Sequence, residues 1–235
     1  VLGKEKTMHM EPGVVTGAKL IVSYVTAVGS IGLAAKLATD TIRHDGGITS
    51  LAARSVATTA LVFGFFEVLP HYPVGVSEVH LILGSTLFLI FGAGPAALGL
   101  ALGLLAQGLF FAPFDLPQYG MNVTTLLVPL YAMSLLAGKI IPKRTAYTDV
   151  KYGQALALST MYQAGIVTWV AFWALYGHGF GVENLSSVLS FGSAYMLVIV
   201  VEPLIDLAVL AIAKTMHGLK GSMLLNRRLY QAETL

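Results

Sequence analysis

Val79-His80-Leu81-Ile82-Leu83-Gly84-Ser85-Thr86-Leu87-Phe88-Leu89-Ile90-Phe91-Gly92 is a run of mostly apolar residues with one imidazole near its start. It is read as a spanning segment of a membrane protein, beginning near Val79 and ending at Gly92-Ala93-Gly94. The whole chain has the composition such a segment needs. Of its 235 residues, 56% are hydrophobic and 11% charged, and the mean hydropathy is +0.76. A soluble domain carries about 25% charged residues, so the deficit is too large for a surface that faces water.

Working outward, other apolar stretches approach the roughly 20 residues a spanning helix needs. The first runs from Lys19 to Ala38 and is followed by a polar turn, Thr39 to Ser50. The second covers Leu51 to Leu69 and stops at Pro70. His71-Tyr72-Pro73-Val74-Gly75 reads as a turn-rich connector to the third. A fourth span starts at Pro95, which suits a first helical turn, and ends near Phe111. Pro113, Pro117 and Gly120 mark a longer loop before the fifth, Asn122 to Ile141. The sixth is Ala155 to Tyr176, and the seventh Val188 to Ala213, interrupted by Pro203. The expected fold is all-α: a multi-pass bundle of about seven transmembrane helices over residues 8–213. Residues 1–7 form an N-terminal extension and residues 214–235 a tail.

Lys and Arg favour the cytoplasmic side. With seven spans, one side receives Lys36, Arg43, Arg54, Lys139, Lys143, Arg144, Lys151, Lys214, Lys220, Arg227 and Arg228. The other receives Lys4, Lys6 and Lys19. This skew places the N-terminus outside the cell membrane and the tail in the cytoplasm. His9, His71, His80 and His178 then lie on the outer side, and His44 and His217 on the inner.

The outer histidines carry the functional reading. His9 stands in Met8-His9-Met10-Glu11-Pro12-Gly13, before the first span, and His80 follows Glu78 at the start of the third. Two imidazoles at one membrane face suit a borderline transition metal such as nickel, cobalt, copper or zinc. For His71 and His178, interfacial water is the plainer explanation. The chain has no cysteine, so thiolate sites and disulfides are excluded. No nucleophile–base pair and no G-x-x-x-x-G-K-[ST] loop is present. The chain is therefore expected not to be an enzyme, and any ATP that drives it is hydrolysed by a partner.

Met8-His9-x-x-x-Gly13, Ser77-x-x-His80-Leu81, Gly94-Pro95-x-Ala97, Leu104-Leu105-x-Gln107-x-Leu109-x-Phe111 and Gly120-x-Asn122 occur in the order of the CbiM/NikM family, which the chain resembles over residues 8–135. That family comprises the substrate-binding membrane components of energy-coupling-factor transporters for cobalt and nickel. The resemblance implies a seven-helix fold whose N-terminal segment tucks into an outward-facing pocket. Met8 and His9 would supply backbone nitrogens and one ring, and His80 the second ring, to a roughly square-planar Ni(II) or Co(II) substrate. Capture would weaken as pH falls through about 6.5, the ordinary histidine value. The implied partners are a transmembrane coupling subunit and cytoplasmic ATPase subunits. Met8 is preceded by seven residues, so its nitrogen is an amide, a far poorer ligand than an amine. This keeps open a second reading, a CbiM-like accessory subunit of a larger membrane complex.

Several other residues call for a role. Asn122 could orient the N-terminal segment or cap a helix. Glu67, near the outer end of the second span, could ride at the membrane interface or line the pocket mouth. Glu202 and Asp206, four apart on one helix face, could carry cations or protons, but pairing with Arg54 or Lys36 is the simpler expectation. Gln107 and Gln163 suit hydrogen bonds between helices. The basic tail, Lys214 to Arg228, suits anionic lipid rather than nucleic acid.

Overall fold

The computed structural model describes residues 13–231. Its long elements are helices α1 (Leu20–His44), α2 (Gly47–Val68), α4 (Ala93–Phe110), α5 (Tyr119–Ile140), α6 (Tyr152–His178) and α7 (Val182–Thr215). All six are long and apolar enough to cross a membrane. Between α2 and α4 lie a short hairpin, β1 (Tyr72–Val74) and β2 (Ser77–Val79), and the short helix α3 (Gly84–Phe91). The chain is thus an all-helical, multi-pass membrane protein. The end of the bundle where the described chain begins is called upper below, and the opposite end lower.

The third apolar segment departs from a simple span. Only eight of its residues are helical, about 12 Å at 1.5 Å per residue, whereas the hydrocarbon layer is about 30 Å thick. The residues from His80 to Leu83 are irregular. Leu83 sits in the left-handed region, with φ +57°, which for a residue bearing a Cβ costs on the order of 1–2 kcal/mol. Open backbone in an apolar interior needs partners for its amides. They come from a residue far along the chain: Glu202 Oε1 accepts from Leu83 N at 2.8 Å and from Ile82 N at 3.2 Å.

The lower end of α3 is held from the other sign of charge. Arg54 is fully buried and donates from one guanidinium nitrogen to the Phe91 carbonyl at 2.8 Å and to Asp45 Oδ2 at 2.7 Å. An acid at the N-terminus and a cation at the C-terminus both suit the helix dipole. The expected pairing of Glu202 and Asp206 with Arg54 or Lys36 is therefore wrong. Arg54 is used by Asp45 and Phe91, and Lys36 bridges Asp40 one turn along α1 at 2.8 Å.

Helix boundaries also differ from the hydropathic ones. The polar turn expected from Thr39 to Ser50 shrinks to Asp45-Gly46, because α1 runs on to His44. Its last turns are polar yet helical: the hydroxyls of Thr39 and Thr41 bond the carbonyls four residues back. α7 passes unbroken through Pro203. At 34 residues it is about 50 Å long, more than the hydrocarbon layer needs.

Small residues set the packing. α4 lies most extensively on α2, α6 on α7, and α5 on both α1 and α6. Gly99 and Gly103 of α4 abut Thr58 and Val62 of α2, the small-xxx-small pattern that lets backbones approach. Thr58 adds a hydrogen bond to the Pro95 carbonyl at 2.7 Å.

Part of the tail packs against the bundle. Arg228 donates to the carbonyls of Ile141 and Pro142 at 3.0 and 2.8 Å and stacks over Tyr147. Asn226 N donates to the Ile90 carbonyl at 2.9 Å. The tail thus closes the lower end and helps hold α3.

At Gly84, a Cβ would overlap the Tyr162 ring. Overpacking of this kind costs about 1–3 kcal/mol. Gly84→Ala is expected to lower the melting temperature of the purified protein. Gly29→Ala, which meets nothing within 4 Å, is expected to leave it unchanged. Equal melting of the two variants would contradict the close contact between α3 and α6.

Candidate metal site

Proline-containing β1 pairs with β2 in register Tyr72–Val79, Pro73–Glu78 and Val74–Ser77. The hairpin turns at Gly75 (φ +62°), where a Cβ would overlap the Ser187 carbonyl of α7. It lies across the upper end and delivers His80 into the bundle. There Ser77, Glu78, His80, Asn122, Thr125 and Tyr195 line a cavity of about 30 Å³, room for an ion or a water. His80 is 8% exposed, while His71 is half-buried and His44 and His178 are exposed.

The His80 ring is fixed on two sides. It meets the Phe66 ring edge-on, with centroids 5.3 Å apart. Its Nδ1 faces the Leu81 carbonyl at 3.4 Å. A carbonyl only accepts, so this contact is a hydrogen bond when Nδ1 carries the proton. Burial pushes the His80 pKa down to about 4, with a smaller push from His71.

Asn122 shares this cavity. The helix-cap reading of Asn122 is excluded, because α5 begins at Tyr119 and its N-cap position is Gln118. A smaller adjoining cavity is lined by Leu104, Gln107, Asp115, Leu116, Tyr119 and Asn122, among others. Asp115 was not singled out by sequence reasoning. It sits in a polar, proline-rich stretch, but the 3-10 turn Pro113–Gln118 folds it inward to 6% exposure. Glu67 is half-buried near the end of α2.

Met8 and His9 lie outside the described residues. The chain that follows them does enter the bundle: Val14 and Val15 are buried at 5% and 1% exposure. The Val14 carbonyl lies where a Cβ on Gly177 would stand. Lys19 pins the segment by donating to the Tyr176 and Gly177 carbonyls at 2.8 and 3.1 Å, a cation at the C-terminus of α6. Among the described residues, no group of three or more His, Cys, Asp or Glu could hold a metal ion. A site at His80 would therefore not be completed by three such side chains among the described residues.

The lowered pKa has a defined sign. An unfolded chain takes up the His80 proton near the ordinary value of 6.5, and the folded one only near 4. His80 therefore weakens the fold progressively as pH falls from about 6.5 toward 4. Burial thus favours the neutral ring over most of that range. Histidine NMR of the metal-free protein is expected to show a midpoint near 4 for His80. A midpoint near 6.5 would mean a ring in water.

Neither the curated proteins nor the solved structures contain a match to the chain. The family described as CbiM, cobalt uptake substrate-specific transmembrane region, matches residues 9–218. That match covers most of the chain, both sides of the hairpin and the cavity it serves, and the chain belongs to this family.

Proposed function

We propose that this chain captures Ni(II) or Co(II) at the outer membrane face and passes it inward as the substrate-binding component of an energy-coupling-factor transporter. Family membership supplies the class of function: a substrate-specific membrane component of cobalt uptake. The observation that supports the chemistry is the buried His80, its ring held by Phe66 and the Leu81 carbonyl beside a small cavity lined by both polar and apolar side chains.

His80 Nε2 is the ligand the bundle provides. His9, with backbone nitrogens at Met8 and His9, supplies the rest from the N-terminal segment. Val14, five residues on from His9, is packed in the core, and five residues of extended chain span at most about 17 Å. Nitrogen ligands in a plane suit nickel and cobalt. Glu78 beside the cavity favours a dication. Lys19 is the one Lys or Arg at the upper end among the described residues, and the lower end carries the rest, so the charge rule sets the upper end outside. ATP hydrolysis falls to partner subunits, because this sequence has no phosphate loop.

The amide character of the Met8 nitrogen supports a second reading, an accessory subunit of another membrane complex. Native purification separates the two: membrane ATPase chains accompany a transporter component, and chains of a different complex accompany an accessory one.

Titration of the purified protein with Ni(II) and Co(II), with Mg(II) as control, tests the first reading. Selective binding is expected. His80→Ala is expected to weaken it by more than the roughly 10–100-fold that supporting residues contribute. Equal affinity in His80→Ala would remove His80 from the site.

A further inference from the structure

We propose that Glu202 is the positioning residue of the metal site: it sets the place of His80 by gripping the backbone two and three residues beyond it. The inference rests on His80 being a metal ligand.

Glu202 is fully buried in α7, 120 residues from the loop it holds. Its Oε1 accepts from the amides of Ile82 and Leu83. Its Oε2 is held in turn by Gln163 Nε2 and, at 3.5 Å, by Ser159 Oγ, both of α6. Each oxygen thus has two donors, and the carboxylate has one place to be. Asp206, one turn further down α7, accepts from the Thr86 hydroxyl in the first turn of α3. The two acids therefore divide the work: Asp206 holds the helix, and Glu202 holds the open backbone that leads to it.

The open backbone has an alternative. Leu83, now left-handed, could adopt helical angles and lengthen α3 upward. Each residue added to an α-helix turns its successors by about 100°. Winding through Leu83 and Ile82 would therefore swing His80 away from Phe66 and out of the cavity. The two amides would then find carbonyl partners within the helix instead of Glu202. The carboxylate keeps the segment unwound, because only the unwound form presents both amides to it. A carboxylate is not required for its charge: any acceptor oxygen at the same place would serve.

The test compares Glu202→Ala with Glu202→Gln. Three quantities are measured on the purified full chain: the Ni(II) dissociation constant, hydrogen–deuterium exchange at residues 82–83 without metal, and the His80 ring resonances. Glu202→Ala is expected to weaken Ni(II) binding about 10–100-fold, the range for residues that orient a ligand. It is also expected to speed exchange at 82–83 and to shift the His80 ring signals. Glu202→Gln, whose amide oxygen still accepts, is expected to keep all three close to wild type. Should Glu202→Ala not fold, Gln163→Leu removes one of the two donors to Oε2 and is expected to act in the same direction, severalfold. Unchanged binding and unchanged exchange in Glu202→Ala overturn the proposal, as does a loss in Glu202→Gln equal to that in Glu202→Ala. If wild type binds no Ni(II), the capture reading fails by itself, and exchange with the ring signals still decides whether Glu202 holds the loop.

Discussion

A carboxylate bonded to two backbone amides inside an apolar bundle is the constraint on which this molecule is built. Lipid and protein interior offer no water to an open chain, so an irregular segment survives there only if something else accepts its N–H groups. Glu202 does so for Ile82 and Leu83. Without an acceptor there, those two amides would be left unpaired in an apolar interior. With it, the third apolar segment is split into a loop that can carry an imidazole and a short helix that can be held at both ends.

The arrangement around that split links the two ends of the bundle. Above, the hairpin and the loop place His80 beside Asn122 of α5, against Phe66 of α2. Below, Arg54 and the tail residue Asn226 take the Phe91 and Ile90 carbonyls of α3. A buried cation would normally need strong justification. Here its carboxylate partner and its carbonyls satisfy it, and the same contacts tie α2, α3 and the α1–α2 turn together. Small residues on α4 then allow α2 to lie close enough for this to happen.

The sequence made much of this readable. Long apolar stretches gave six of the spans, and the cations gathered at one end as their spacing suggested. His80 was visible because an imidazole following an acid at the edge of an apolar run is unusual. The break in the third segment was not visible. Val79 to Gly92 is mostly apolar, and hydropathy measures where a residue prefers to be, not whether its backbone is helical. The acceptor that serves the open backbone is a side chain 119 residues on from Leu83, beyond any local pattern. The same blindness made Glu202 and Asp206 look like partners for Arg54 and Lys36, since charge suggests ion pairs while burial here favours neutral donors. Asn122 looked like a helix cap only because Tyr119 to Met121 were left out of the helix. The tail's basic composition did not show that Arg228 would spend its charge on carbonyls at the end of α5.

The decisive observation is spectroscopic and concerns the ring that the broken helix presents. Nickel K-edge X-ray absorption on the loaded protein reports imidazole rings through their scattering of the photoelectron. His80→Ala protein that still holds the ion should show one imidazole fewer than wild type. Ring scattering unchanged by that substitution would place the metal on other residues and detach the unwound segment from metal capture.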